Sequence, residues 1–293
     1  MGQEHPQAAL SRAEHANPGT WGHDMSGSIQ QHNQRPAQVW SSGGAAYEEI
    51  SRQIASALDH CVRRLAAKPG ERILDLATGT GWTSRLLAAD GARVTGVDIA
   101  ADLIDAARTI GESKGLAIDY EIGDAEQLRF PDGSFDAVVS TFGVMFASRP
   151  ESAAAEIARV CRKGGRVALT TWRPDGSVFG MFKVMRAYMP PPPSSPPPSP
   201  FAWGNRERIE ELLGSNFDLA FEDGETIYYD RNGDAAWQAF VTGYGPAKAL
   251  AASLDERARE KLRHDFVAFH DASLTPLGVS MPRQYLLTVG TRR

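Results

Sequence analysis

Three acids draw attention by their spacing. Asp75 sits in the apolar run Arg72-Ile73-Leu74-Asp75-Leu76, which leads directly into Ala77-Thr78-Gly79-Thr80-Gly81. Asp98 closes the next apolar run, Arg93-Val94-Thr95-Gly96-Val97-Asp98. Asp124 follows a third run, within Gly123-Asp124-Ala125-Glu126. Each acid falls where a strand gives way to a turn. Gly79 and Gly81 allow positive φ and leave the backbone bare, so a ligand can approach the peptide groups. An acid about 20 residues beyond such a loop can accept both hydroxyls of a ribose. A carboxylate beside a backbone amide, Asp124 with Ala125, can read the amino group and a ring nitrogen of adenine. Carboxylates at three consecutive strand ends are costly to bury without donors. Structural duty alone explains the set poorly, whereas the loop by itself is a common turn.

The elements that must position these acids follow from periodicity. Tyr47, Ile50, Ile54, Leu58, Val62 and Leu65 fall at three- and four-residue steps and predict a helix over 45–67, ended by Pro69-Gly70. Strands are expected at 72–76, 93–98, 117–122, 135–140 and 166–172. Helices are expected between them at 83–90, 102–114 (with Asp102 as its cap) and 151–161. This alternation predicts an α/β fold: a doubly wound, mostly parallel, seven-stranded sheet with helices on both faces. In such a sheet ligands bind at the carboxyl ends of the strands.

The rest of the chain divides by composition. Residues 1–38 are rich in Gln, His, Asn, Gly and Pro and read as a disordered tail. The cofactor-binding core is expected over 39–175. Residues 176–281 form an inserted, mainly helical cap with a proline-rich connector at 190–200, which can be neither helix nor central strand. Helices are expected there at 205–213, 234–241 and 254–270, with β-like runs over 217–229. Residues 282–293 return as an edge strand.

The run from Arg72 to Gly81 resembles the first motif of the class I S-adenosylmethionine-dependent methyltransferases, and Val97-Asp98 the second. The stretch from Gly123-Asp124-Ala125-Glu126 through Pro131-Asp132-Gly133-Ser134-Phe135-Asp136 is similar to the quinone C-methyltransferase-like branch, as is Arg159 to Arg166. The resemblance is strong over 47–172 and weak in the cap. Ala77 departs from the glycine that many members carry there. The resemblance implies S-adenosylmethionine as cofactor, held by Asp75, Ala77, Thr78, Gly79 and Gly81 in the loop. It implies Asp98 and Ile99 at the ribose, and Asp124 and Ala125 at the adenine. Thr141 and Phe142 would line the methionine and methyl side, and Tyr47 would close over the cofactor. Trp40, Phe146 and Trp203 are the expected substrate-lining aromatics.

Methyl transfer from a sulfonium needs a positioned nucleophile and needs a base only if that nucleophile holds a proton. No base is evident; His270 and Tyr244 are the candidates. The partner is expected to be a small-molecule acceptor, with carbon, oxygen and nitrogen acceptors all open. Two other readings stay beside this one: a protein that binds the cofactor without turnover, and an NAD-dependent dehydrogenase. For the latter, Gly79-Thr80-Gly81-Trp82-Thr83-Ser84 is one small residue short of the dinucleotide fingerprint.

Bulk properties narrow the field. In 293 residues the formal charge is −5 and no Lys/Arg block occurs, which speaks against nucleic-acid binding. No apolar stretch reaches the roughly 18 residues of a membrane span. Cys61 and Cys161, both in expected helices, are isolated from each other and from any patterned histidine. Neither a disulfide nor a metal site is expected, and a cytoplasmic setting follows. The oligomeric state is not readable.

Overall fold

A computed structural model describes residues 29–191 and 196–293. Eight strands form one sheet in the order β3-β2-β1-β4-β5-β8-β6, with the short β7 paired to β8. The strands are β1 (Arg72–Leu76), β2 (Arg93–Asp98), β3 (Asp119–Ile122), β4 (Phe135–Thr141), β5 (Cys161–Trp172), β6 (Phe217–Asp230), β7 (Leu274–Thr275) and β8 (Gly278–Arg292). The first five are mutually parallel. β8 runs antiparallel to β5, β6 and β7. The expected doubly wound, mostly parallel sheet is therefore present, with seven strands in the main path and a two-residue appendix.

The order places β1 inside the sheet, between β2 and β4. Ile73, Leu74 and Leu76 are fully buried there, each contributing about 1.5–3 kcal/mol by leaving water. The helices α3 (Ala55–Leu65), α4 (Trp82–Ala89), α5 (Ala101–Ser113) and α6 (Pro150–Val160) cover the sheet. In α3 the buried residues Ala57, Leu58, Cys61, Val62 and Leu65 make one stripe at helical spacing.

Several boundaries differ from the sequence reading. The 45–67 helix is two helices, α2 (Tyr47–Arg52) and α3, because the chain leaves helical geometry at Ile54, with φ −121° and ψ 13°. α5 takes no side-chain cap: the N-cap position is Ala100, and the Asp102 N–H donates to Ser41 Oγ instead. Cys161 opens β5 instead of closing a helix. Both cysteines are free and buried.

The larger corrections concern the two ends of the chain. Residues 31–33 form a 3₁₀ turn and Gln34–Ser41 the helix α1. The last part of the expected disordered tail is thus ordered; its first part lies outside the described residues. The returning strand is interior, since β8 lies between β5 and β6. The sheet edge on that side is β6, which was expected inside the cap. Its 14-residue pairing with β8 carries it into the sheet. The remaining cap elements are α7 (Ser177–Arg186), α8 (Arg206–Leu213), α9 (Gly233–Gly243), α10 (Gly245–Ser253) and α11 (Glu256–Asp271). α9 packs on α2 and α10 on α1, so the N-terminal helices and the cap helices form one layer.

Candidate functional site

A cleft of about 970 Å³, counting the open space at its mouth, lies along the carboxyl ends of the parallel strands. Its floor is the β1–α4 loop. Ala77 and Gly79 hold positive φ, 57° and 59°, and Gly81 follows at 81°. At Gly81 an added Cβ would fall 2.2 Å from the Tyr120 hydroxyl, so glycine is required by both angle and space. Ala77 in a left-handed conformation costs about 1–2 kcal/mol. Its methyl fits because Gly143 faces it: a Cβ there would lie 2.4 Å from Ala77 Cβ.

Asp75 lies beneath this loop, fully buried. Its Oδ2 accepts from Thr78 Oγ1 and from Ser84 Oγ, both at 2.6 Å, while Oδ1 has no partner among the described residues. Burial pushes its pKa up to about 6; the two hydroxyl bonds oppose that shift and the nearby Asp98 adds to it. Asp75 shapes the loop from below and, like Gly81, does not line the cleft.

Asp98 does line it. Its Oδ2 accepts from the Gly79 N–H at 2.8 Å and its Oδ1 from the Ala100 N–H at 2.9 Å. Burial raises its pKa, against the pull of the N–H groups of Ala100, Gly79 and Ile99. Each carboxylate oxygen keeps acceptor capacity. Asp124, 1% exposed, accepts from the Glu126 N–H at 3.0 Å. It also accepts from two groups of the N-terminal segment: the Gln30 N–H at 3.1 Å and Asn33 Nδ2 at 2.9 Å. Neighbouring Glu126 meets His32 Nε2 at 2.7 Å.

Asn33 is the residue that the sequence reading missed here. It lines the cleft, and its Oδ1 accepts from Ser148 Oγ. The signal was faint: a single Pro36 in a first helical turn, followed by Val39-Trp40, within an otherwise polar stretch.

Tyr47 stands over the loop, its Cε1 3.3 Å from where a Gly79 Cβ would sit. Its neighbour Glu48 fixes it there, accepting from Thr80 Oγ1 at 2.7 Å and pairing with Arg85. Burial and Asp98 both raise the Tyr47 pKa. Ile99, Ala125, Thr78, Thr141 and Phe142 also line the cleft. Thr141 Oγ1 pairs with Thr83 Oγ1 at 2.9 Å, and Phe142 stacks on Trp172 at 3.8 Å. Trp40 and Phe146 meet edge-to-face at 4.9 Å in the wall opposite the loop.

Three expected residues are elsewhere. Trp203 is 1% exposed, its carbonyl accepting from Thr171 Oγ1 at 2.8 Å; the 3₁₀ turn that carries it packs into the core instead of over the cleft. His270 is fully buried among Tyr228, Phe240, Phe266 and Phe269 and does not line the cleft. Its Nδ1 pairs with the Phe266 carbonyl at 2.9 Å, and burial drives its pKa down to about 4. It is a neutral core histidine. Tyr244 stands one layer behind the wall, edge-on to Trp40 at 5.5 Å, and outside the cleft lining. Burial raises its pKa strongly, which disfavours the phenolate a base would need.

Residues 74–169 match the methyltransferase domain family. Over 244 residues the chain is 33% identical to Rv1403c, an uncharacterized protein of Mycobacterium tuberculosis, covering 82% of this chain and 85% of that one. It is 38% identical over 158 residues to a demethylmenaquinone methyltransferase of Thermus thermophilus, covering 51% of this chain and 71% of that one. The chain is a class I S-adenosylmethionine-dependent methyltransferase. The nicotinamide reading falls with that assignment.

Solved structures share the methyltransferase's fold at low identity. YcgJ of Bacillus subtilis aligns with a TM-score of 0.56 and 20% identity, over 81% of this chain and 98% of that one. The [4+2]-cyclase SpnF aligns at 0.52 and 21%, over 80% of each chain. One fold thus hosts different chemistries, so the acceptor must be argued from the cleft. Among the described residues no group of three or more His, Cys, Asp or Glu could hold a metal, and no helix is long and apolar enough to cross a membrane.

Proposed function

We propose that this methyltransferase binds S-adenosylmethionine along the β1–β3 end of the cleft and methylates a small, partly apolar acceptor held against the Trp40–Phe146 wall. The observation that carries the donor assignment is the pair Asp98 and Asp124. Two buried carboxylates at adjacent strand ends face one cleft beside a glycine turn. That pair of acceptors fits an adenosine: the diol hydroxyls would donate to Asp98, and the amino group to Asp124. The Ala125 N–H, which donates to no described acceptor, suits a ring nitrogen.

The bound cofactor supplies an electrophilic methyl on a sulfonium. The chain's own residues supply the rest. Asp98 ties the loop down through Gly79, so the floor is formed before ligand arrives. Tyr47, Trp40, Phe142 and Phe146 exclude water, and rings facing a sulfonium stabilise it by about 0.5–2 kcal/mol each. Holding the acceptor in line can contribute roughly 7–11 kcal/mol of the barrier. The described lining contains no histidine, and its carboxylates are engaged by N–H donors. This favours an acceptor with an activated carbon or a nucleophile of low pKa.

Calorimetry with S-adenosylhomocysteine tests the donor assignment. Binding is expected in the wild type and strongly weakened in Asp98→Ala. Unchanged affinity in that variant overturns the ribose assignment, and tight NADH binding without S-adenosylhomocysteine binding overturns the whole reading.

A further inference from the structure

We infer that residues 30–33 are an internal competitor of the cofactor: their donors occupy the Asp124 carboxylate, and an adenine gains that acid only by displacing Asn33. The inference rests on the donor assignment above and deepens it into a regulation of the same site. A carboxylate offers about four acceptor positions on its two oxygens. In Asp124 all of them are taken. Oδ1 accepts from the Glu126 N–H at 3.0 Å and from Asn33 Nδ2 at 3.2 Å. Oδ2 accepts from the Gln30 N–H at 3.1 Å and from Asn33 Nδ2 at 2.9 Å.

Both residues line the cleft, yet both are buried, Asp124 at 1% exposure and Asn33 at 3%. No further donor reaches the acid while the carboxamide stays. The Asn33 side chain thus holds the position that the donor assignment gives to the adenine amino group. It does so with the same chemistry, a neutral NH₂ group with two N–H donors. A ligand that binds only the released conformation has its apparent affinity lowered by the fraction of molecules released.

The two ends of this N-terminal segment are held differently. Residues 31–33 form a 3₁₀ turn, whose hydrogen bonds are poorer than those of an α-helix, and Asn33 is its one buried residue. Polar contacts pin the turn. The Asn33 N–H donates to the Gln30 carbonyl at 2.8 Å, Asn33 Oδ1 accepts from Ser148 Oγ at 2.7 Å, and His32 Nε2 meets Glu126 Oε2 at 2.7 Å. Bonds of this kind exchange for water or ligand at small net cost. The far end of α1 is anchored away from Asp124. Ser41 Oγ accepts from the Asp102 N–H at 2.9 Å, the Ser42 carbonyl accepts from Lys248 Nζ at 2.7 Å, and Trp40 packs edge-on to Tyr244 at 5.5 Å. Release at 30–33 therefore leaves the Trp40 wall in place, and the Glu126 N–H still ties Asp124 Oδ1.

The test uses the full chain and S-adenosylhomocysteine. Gln30→Pro deletes one strap donor without changing the backbone, because Gln30 already has φ −62°, the angle proline imposes. Asn33→Ala deletes the other. Each variant should bind S-adenosylhomocysteine about threefold to tenfold more tightly by calorimetry, the range of one net hydrogen bond no longer competing. By stopped-flow fluorescence the gain should lie in the association rate. In the wild type, saturation with S-adenosylhomocysteine should lower the hydrogen-exchange protection of residues 30–33 and leave that of 37–41 unchanged. The inference is overturned if either folded variant binds no more tightly than the wild type. It is equally overturned if saturation raises protection at 30–33, which would make the segment a clamp on bound cofactor. Should Asn33→Ala not fold, Gln30→Pro and the wild-type exchange pattern decide it. Failure of the wild type to bind S-adenosylhomocysteine, or unchanged affinity in Asp98→Ala, would instead count against the donor assignment.

Discussion

The two halves of the cleft are built from different materials. The half at β1–β3 is made of backbone turns and short acids that lie within about 50 residues of sequence. The half facing it is a wall of aromatic rings drawn from α1, α2 and the β4–α6 connection and, one layer back, from α9 and from Tyr244, which joins α9 to α10. In the first half, geometry follows from φ angles that few residue types tolerate. In the second, it follows from packing that many aromatic residues could satisfy. On the proposed function the first half holds the cofactor, whereas the second can change its acceptor without changing the fold.

That contrast can be broken most severely at Gly81. Gly81→Val places a β-branched side chain at φ 81° and against Tyr120. It should destabilise the protein by about 4 kcal/mol, combining left-handed strain and overpacking, read by urea denaturation. A variant as stable as the wild type would mean that the loop is not set by its backbone.

His270, in the packed half, gives the next effect. Its folded pKa of about 4 lies below its unfolded value, so the unfolded state binds more protons between pH 6.5 and 4. Stability from this group is intact at pH 7 and is lost as pH falls through that window, by up to about 3 kcal/mol. His270→Phe should abolish that loss and keep methyl-transfer activity. Asp75, raised to about 6, contributes the opposite slope, but equally in both proteins. The difference between their stabilities at pH 7 and pH 4.5 isolates the histidine.

Asp98→Ala should weaken S-adenosylhomocysteine binding by roughly 1.5–3 kcal/mol, the scale of charge-assisted hydrogen bonds, measured by calorimetry. The smallest expected effect sharpens the contrast from the other side. Phe146→Ala should change S-adenosylhomocysteine affinity by less than about 0.5 kcal/mol, as for a site without shared contacts, while raising the acceptor KM. Equal losses for donor and acceptor would show that the two halves are coupled.

Much of the first half could be read before folding. Strand, glycine turn and acid recur at fixed offsets, and those offsets reflect local backbone geometry. Asp98, Asp124, Gly79 and Thr78 meet in one cleft, as their positions at strand ends require. Asp75 and Gly81 lie in the expected loop but do not line the cleft. In the second half Trp40, Tyr47, Phe142 and Phe146 line the cleft as expected, and the residues drawn from the cap do not. Trp203, His270 and Tyr244 have the right chemistry for a pocket, yet all three are buried away from the cleft lining. An aromatic or a histidine on an apolar helix face carries no local mark of whether it faces a core or a cleft. Asn33 was missed for the converse reason: a polar residue in a polar stretch gives no signal until Asp124 accepts from it.

The sequence by itself determined the parallel sheet and the loop, because hydrophobic period and positive-φ turns are local constraints; the methyl donor came from the acids at the strand ends and the resemblance they carry. Tertiary structure alone decided that β8 lies inside the sheet, that Gln30 and Asn33 close over Asp124, and that Arg283 is buried with its Nη2 unpaired among the described residues. Each of these depends on contacts between segments distant in the chain, and pairings of that kind are chosen by the packing of the whole layer.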